Sequence, residues 1–345
     1  MAGLLSRLKA AFSASSTQTP AMMNDGIEVI EPSHFSMASV STSFYRSLFG
    51  KAENVDSLSI PQKLILDVVT QDMTDKSKRI KSVPRLPSVI PKLLQSLRNE
   101  NSSSKDYVNI INKDPAMTAA VLKLANSVYF NPIVKRITNI DFAVVKLGTD
   151  GLRSVLSAAV MQPIIERKSP YFSNFGHKLW EHSLSCAVAC EIIARQRGLE
   201  PYKAYLLGLM HDMGKITLFS ELCTQFKINS HQMDIVLPSY AAFAPLMQIL
   251  SPALSYTIAE DWELPAEICS ALQQQVDIAP GDKVGAYAHL LYQANLACEM
   301  YFTLREAPEE DQEILEHAAQ KALHEMSLPN NLFKQLDSVE QQVNV

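Results

Sequence analysis

Apolar positions along this chain recur every three or four residues, and no period-two alternation longer than a few residues interrupts them. STSFYRSLFG reads as a helix. A second begins at Ile60-Pro61, with proline in the first turn, and continues through Leu66 and Val69. PSVIPKLLQSLRN carries Val89, Ile90, Leu93, Leu94 and Leu97 at helical spacing. SSSKDYVNIINKD opens on serine caps and predicts burial of Val108, Ile110 and Ile111. Asp114 and Pro115 form an N-cap and first turn for PAMTAAVLKLANS. ITNIDFAVVKLG and DGLRSVLSAAVM give two helices broken at Gly148, and Val284 to Phe302 gives the longest apolar-looking helix. Near the C-terminus, Ile314, Leu315, Ala318 and Leu323 form a seam that could pack internally or against a second copy. The pattern predicts an all-α protein.

Composition removes several alternatives. Eleven glycines in 345 residues is roughly half the average usage. That argues against turn-rich β folds, and neither G-x-G-x-x-G nor G-x-x-x-x-G-K-[ST] occurs. A formal charge of −5 gives no global reason to bind nucleic acid or an anionic membrane. The basic run DKSKRIKSVPR lacks interleaved aromatics and reads as a solvated linker. Cys186, Cys190, Cys223, Cys269 and Cys298 form no C-x-x-C pair and read as thiols of a reducing compartment. Residues 1–35 read as loosely held, although Leu4, Leu5, Leu8 and Phe12 could dock on a partner or membrane surface. The opening apolar run is too short for a secretory signal. His289, Gln293, Asn295 and Glu299 exclude a bilayer span from the longest apolar helix. The expected location is the cytoplasm.

The chemistry concentrates in two segments. In FGHKLWEHSLSCAVACEIIARQ, Phe175, Leu179, His182, Cys186, Ala189 and Ile193 form a stripe that buries His182. In PYKAYLLGLMHDMGK, read as one helix, Ala204, Leu207 and His211 share the inner face, with Asp212 about 100° round. A histidine facing a His-Asp doublet could hold a divalent metal, imidazole supplying nitrogen and carboxylate supplying charge. The same residues could equally form a buried, hydrogen-bonded polar contact. His231 lies in a loop-like SHQMD stretch. His317 and His324 share a face with Glu313, Glu316 and Glu325 that reads as solvated.

The segments RLPSVIPKLLQSL, INKDPAMTAAVLKLANSVYF, ITNIDFAVVKLGTDGLRSVLSAAV, LWEHSLSCAVACEIIA, AYLLGLMHDMGKI and LSPALSYTIAEDWELPAEICSAL together resemble the HDOD domain. That family is the output-domain branch of the HD metal-dependent phosphohydrolase superfamily, found in bacterial signalling. DPAM, LANS, LGxxGLR, WEHS, HDMGK and W-x-LP fall in family order. The resemblance covers roughly residues 84–282. It implies an HD-like helical bundle, preceded by a smaller helical subdomain over 36–83 and followed by C-terminal helices over 283–345.

Similarity to active HD phosphodiesterases assigns His182, His211 and Asp212 as metal ligands, with Lys215 near substrate phosphate. It also shows what has been lost. Ser251 stands where a further histidine is expected, Gln273, Gln274 and Gln275 where a histidine pair should follow, and Ala288-His289-Leu290 where an Ala-Asp pair should close the site. Serine and glutamine are weak neutral ligands that cannot hold the second ion of a two-metal phosphodiesterase. The expectation is a non-catalytic signalling module that needs no cofactor and binds neither nucleic acid nor membrane. It would contact a signalling protein and could form a homodimer. One alternative is a mononuclear metal-dependent phosphohydrolase using His182, His211, Asp212 and His289, with Lys215 at the substrate. The other is a nucleotide or cyclic-dinucleotide receptor in the vestigial pocket.

Overall fold

The computed structural model describes residues 26–49, 60–92, 104–112, 115–132, 136–166, 174–229 and 240–343. In chain order these contain β1 (Ile27–Glu28), α1 (Met37–Phe49), α2 (Ile60–Thr74), α3 (Lys76–Ser82), α4 (Ser104–Ile111), α5 (Pro115–Ala125), α6 (Ile140–Ile165) and α7 (Phe175–Arg197). There follow α8 (Pro201–Met210), α9 (Met213–Asn229), α10 (Tyr240–Asp261), α11 (Ala266–Gln273), β2 (Lys283–Val284), α12 (Ala286–Arg305), α13 (Glu309–Glu325) and α14 (Leu332–Val343). The protein is all-α, as its periodicity predicts. The sole sheet among the described residues is the two-stranded β1–β2 pair.

The chain divides into two compact units. One comprises Met1–Arg85, Lys168–Lys178 and Met210–Tyr292; the other comprises Leu86–Arg167, Leu179–Leu209 and Gln293–Val345.

In the first unit α9 packs on α10, α2 and α3, and α10 packs on α11 and α1. The α9–α10 contact is close because of Gly214. A side-chain carbon there would lie 2.1 Å from the Ser251 carbonyl oxygen, and the Gly214 N–H donates to Ser255 Oγ at 2.9 Å. The W-x-LP motif ends α10. Glu263 adopts φ 52, the Leu264 N–H reaches back to the Ala259 carbonyl, and Pro265 starts α11. This is a left-handed helix stop followed by a residue that cannot continue a helix.

In the second unit α6 packs on α4 and α5. The Asn139 side chain caps α6 by accepting the Phe142 N–H, and Gly148 bends it at φ 67, where the sequence places a break. The residues of the family-like motifs here act as fasteners. Asn126 of LANS exchanges hydrogen bonds with both the N–H and the carbonyl of Ile137. Arg153 of LGxxGLR donates to Tyr107 Oη at 2.8 Å and lies over the Tyr107 and Tyr202 rings. Burial pushes the Tyr202 hydroxyl well up from its usual range, so it remains a neutral partner for Ser157 at 2.7 Å.

Several expectations are corrected. The segment DKSKRIKSVPR is no linker over its first half. Asp75 accepts the backbone N–H groups of Ser77 and Lys78 and so nucleates α3, while Ser82 Oγ donates to Glu221 on α9 at 2.7 Å. Residues 26–35 are held rather than loose: Ile27 and Glu28 pair with Val284 and Lys283, and Val29 and Phe35 are buried. The helix expected from Val284 starts at Ala286 because Lys283–Val284 serve that pairing. PYKAYLLGLMHDMGK is two helices, α8 and α9, with His211 and Asp212 in the turn between them. The first α6 residue is Ile140, not Ile137. Within α4 it is Tyr107 that is buried with Ile111, while Val108 is half-exposed. Ile314 of the C-terminal seam is exposed, whereas Leu323 is buried. Leu4, Leu5, Leu8, Phe12, Asp114, His231 and most of PSVIPKLLQSLRN lie outside the described residues.

Since Gly214 has no room for a methyl group, Gly214→Ala is expected to cost about 3 kcal/mol, the upper end of overpacking penalties. Urea denaturation checks this through a lowered midpoint at unchanged slope.

Candidate functional site

In the first unit the His-Asp doublet owes its position to the interruption between α8 and α9. The Ile216 N–H donates to the Asp212 carbonyl, so Asp212 occupies the N-cap position of α9, where helix geometry favours a negative charge. Its carboxylate is heavily engaged. Lys215, one turn along α9, places Nζ 2.8 Å from Oδ1 and 2.9 Å from Oδ2. His211 Nε2 lies 3.2 Å from the same Oδ1. Asp212 is 4% exposed and Lys215 5%, so this is a desolvated ion pair whose stability depends on the geometry of both partners.

The positions where histidines are expected do other work. Ser251 is buried on α10, beneath Gly214. Gln274 accepts the Gly285 N–H at 2.8 Å and donates to Ser270 Oγ and its carbonyl. Gln275 donates to the Ala288 carbonyl at 2.9 Å. These two amides fasten the end of α11 to the start of α12. His289, one turn into α12, is buried.

In the second unit, His182 on α7 is fully buried. Its Nε2 lies 3.1 Å from Asn295 Oδ1 on α12. Asn295 Nδ2 in turn donates to Glu299 Oε1 at 3.4 Å, which fixes the amide with its oxygen toward the imidazole. An amide oxygen only accepts, so Nε2 carries the proton and donates. The Phe302 ring stands edge-on to the imidazole at 5.8 Å. Cys186, one turn along α7, brings Sγ to 3.5 Å from Nε2 and 4.0 Å from Nδ1. Cys190, the next turn on, has its thiol pushed well up by burial and then by Cys186. It is therefore a neutral core group.

The structure thus gathers His211, Asp212 and Lys215 at one turn, and His182 with Cys186 and Asn295 on two facing helices. Sequence reading treated Asn295 only as a polar position of the longest apolar helix and Cys186 only as a buried thiol. The available signal was the pairing of i,i+4 spacings, His182/Cys186 on α7 and Asn295/Glu299 on α12. Imidazole and thiol are donor types that borderline divalent metals accept, and in the second unit His182 and Cys186 supply them. Within each unit the remaining groups fit a metal poorly: in the first an ammonium covers both oxygens of Asp212, and in the second Asn295 is neutral and already engages His182.

Residues 83–278 match the family model of the HDOD domain. Over 237 residues, 66% of this chain, it is 22% identical to a protein of Treponema pallidum (strain Nichols) described as uncharacterized. It spans 44% of that protein's length. Two solved structures share the fold. One, an HDOD domain protein with unknown function from Geobacter sulfurreducens, aligns at TM-score 0.55 and 22% identity, covering 81% of this chain and 96% of that one. The other, from Shewanella amazonensis SB2B, is named as a proposed metal-dependent phosphohydrolase. It aligns at TM-score 0.57 and 18% identity, covering 83% of this chain and 100% of that one. With its fold, motif order and more than half its length in agreement, this chain belongs to the HDOD domain family.

Proposed function

We propose that this protein is a non-catalytic signal-transduction module whose HD site persists as a polar lock and whose output is a contact with another protein. The observation that carries the reading is the Lys215 ammonium seated on both oxygens of Asp212. A carboxylate neutralised in this way has little charge left for a cation. The engagement of His182 by Asn295 and the use of Gln274 and Gln275 on backbone groups support it. Hydrolysis of a phosphodiester needs a general base, a generated hydroxide and neutralised phosphate charge.

The output is a protein rather than nucleic acid or membrane. The net charge of −5 offers no long-range attraction to phosphate polymers or anionic lipid. Among the described residues no helix is long and apolar enough to cross a membrane. We place the protein in the bacterial cytoplasm and allow a homodimer through the C-terminal helices, which light scattering would reveal.

A second reading, a mononuclear metal-dependent phosphohydrolase, is favoured by the adjacent His182 and Cys186 donors of the second unit and by the name of the Shewanella relative. The two readings separate on metal and turnover. Protein purified with manganese, iron or zinc in excess is expected to contain substoichiometric metal by elemental analysis. It is also expected to hydrolyse phosphodiesters and cyclic dinucleotides no faster than a His211→Ala/Asp212→Ala variant. Stoichiometric metal with turnover lost in that variant would overturn the scaffold reading. Thermal shift with the same nucleotides addresses the receptor alternative: a ligand at one hundred times its Kd would stabilise by roughly 2.7 kcal/mol, and no shift is expected.

The lock makes a stability prediction of its own. Asp212→Ala strands a buried ammonium and is expected to cost about 3–5 kcal/mol. Asn295→Leu strands one imidazole N–H and is expected to cost about 1–3 kcal/mol. Denaturant titration of both variants, beside the parent protein, reads the two penalties.

A further inference from the structure

Helix α1 precedes the residues that match the family model, yet within the first unit it reaches the HD motif. The Phe44 and Tyr45 ring centroids lie 5.3 Å and 5.4 Å from Lys215 Nζ, and all three side chains are buried. Two further contacts fix the same helix. Lys178 Nζ donates to Ser47 Oγ at 2.7 Å, and Phe49 packs on Phe175 and Phe243 at 5.2 Å and 6.3 Å. Upstream, the Met37 N–H at the start of α1 donates to Glu31 Oε1, and β1 joins β2. Residues 26–49 are thus tied down at one end by backbone pairing and at the other by two lysines and three aromatic rings.

We propose that α1 is a latched arm and that the Asp212–Lys215 pair is its catch. Asp212 holds the ammonium where two aromatic faces meet it, and those faces are the reason a buried lysine is tolerated with one carboxylate. The catch couples α1 to α9 within the first unit. A displacement of the doublet weakens the hold on Phe44 and Tyr45, and release of α1 opens the doublet to solvent. A retained HD-motif residue thereby controls whether an element outside the family domain is docked or free. This rests on reading the doublet as a polar lock, but it is tested without metal or turnover, so the two can fail separately.

Hydrogen exchange by mass spectrometry on the full chain tests the coupling. Lys215→Met and Asp212→Asn are each expected to accelerate exchange over residues 37–49 by about tenfold, the scale of losing desolvated cation–π contacts. Peptides from α9 should accelerate less than those from residues 37–49, because release of α1 is a local opening added to the loss of the ion pair. Phe44→Leu/Tyr45→Leu removes the π faces while keeping an apolar side chain at both positions. It should give the same selective acceleration and make Lys215 acylable by an amine-reactive probe. Equal acceleration of α1 and α9, or none in either, would overturn the latch, as would Lys215 remaining unreactive in the double variant.

Discussion

An ammonium and a carboxylate withdrawn together from water repay their desolvation only when each remains fully engaged by the other. Lys215 and Asp212 meet that condition by their spacing: Asp212 caps α9 and Lys215 lies three residues along, in its first turn. Everything near them accommodates the pair. The turn between α8 and α9 presents His211 to the same carboxylate, and Gly214 removes the side chain that would keep α10 away. Phe44 and Tyr45 cover the ammonium with rings whose faces favour a cation. Altering either charge would leave the other buried without its partner, so the site is stiff with respect to chemistry that needs Asp212 free.

The amides argue in the same direction. A histidine pair that binds metal must present lone pairs to the ion, whereas a glutamine in its place can face both ways and satisfy backbone groups. Gln274 and Gln275 do so at the junction of α11 and α12, taking up the Gly285 N–H and the Ala288 carbonyl. In the second unit Asn295 performs the equivalent service for His182, with Glu299 holding the amide in orientation. These amides satisfy hydrogen bonds in a core where an unmade one is costly. Under the proposed reading, each residue that replaces a ligand serves as a fastener.

Helix class, the break at Gly148 and the buried stripe of α7 were legible because each has a periodic or glycine signature. The helix α3 was not. It buries no side chain and hence shows no hydrophobic period; its stability comes from an Asp75 cap and a hydrogen bond to Glu221, 139 residues distant in sequence. The doublet's residues could be named, but not placed, since a helical wheel drawn through LLGLMHDMGK assumes continuity that the turn at His211–Asp212 breaks. Asn295 is visible as a polar position of the longest apolar helix, but its part in the site was hidden for a different reason. Its role depends on which face of α12 meets α7, a tertiary fact that no local pattern encodes. His289, which the resemblance sets at the closing aspartate, lies six residues before Asn295 on the same helix and is buried there.

The order of elements along the chain gives the doublet a meaning beyond a vestige. A core polar cluster with no partner outside the family domain would be replaceable by apolar residues at little cost, since well-packed hydrophobic groups commonly match or exceed a buried ion pair in stability. Here the cation has such partners: two rings on a helix that lies before residue 83, where the family match begins. Replacing Lys215 with an apolar side chain would preserve burial but erase the directional attraction that selects aromatic faces at positions 44 and 45. The charge specifies where α1 sits as well as how tightly the unit holds together, and specificity of this kind is the best-attested use of a buried polar group. In the proposed reading, the lysine of HDMGK has its use in what it binds within its own unit.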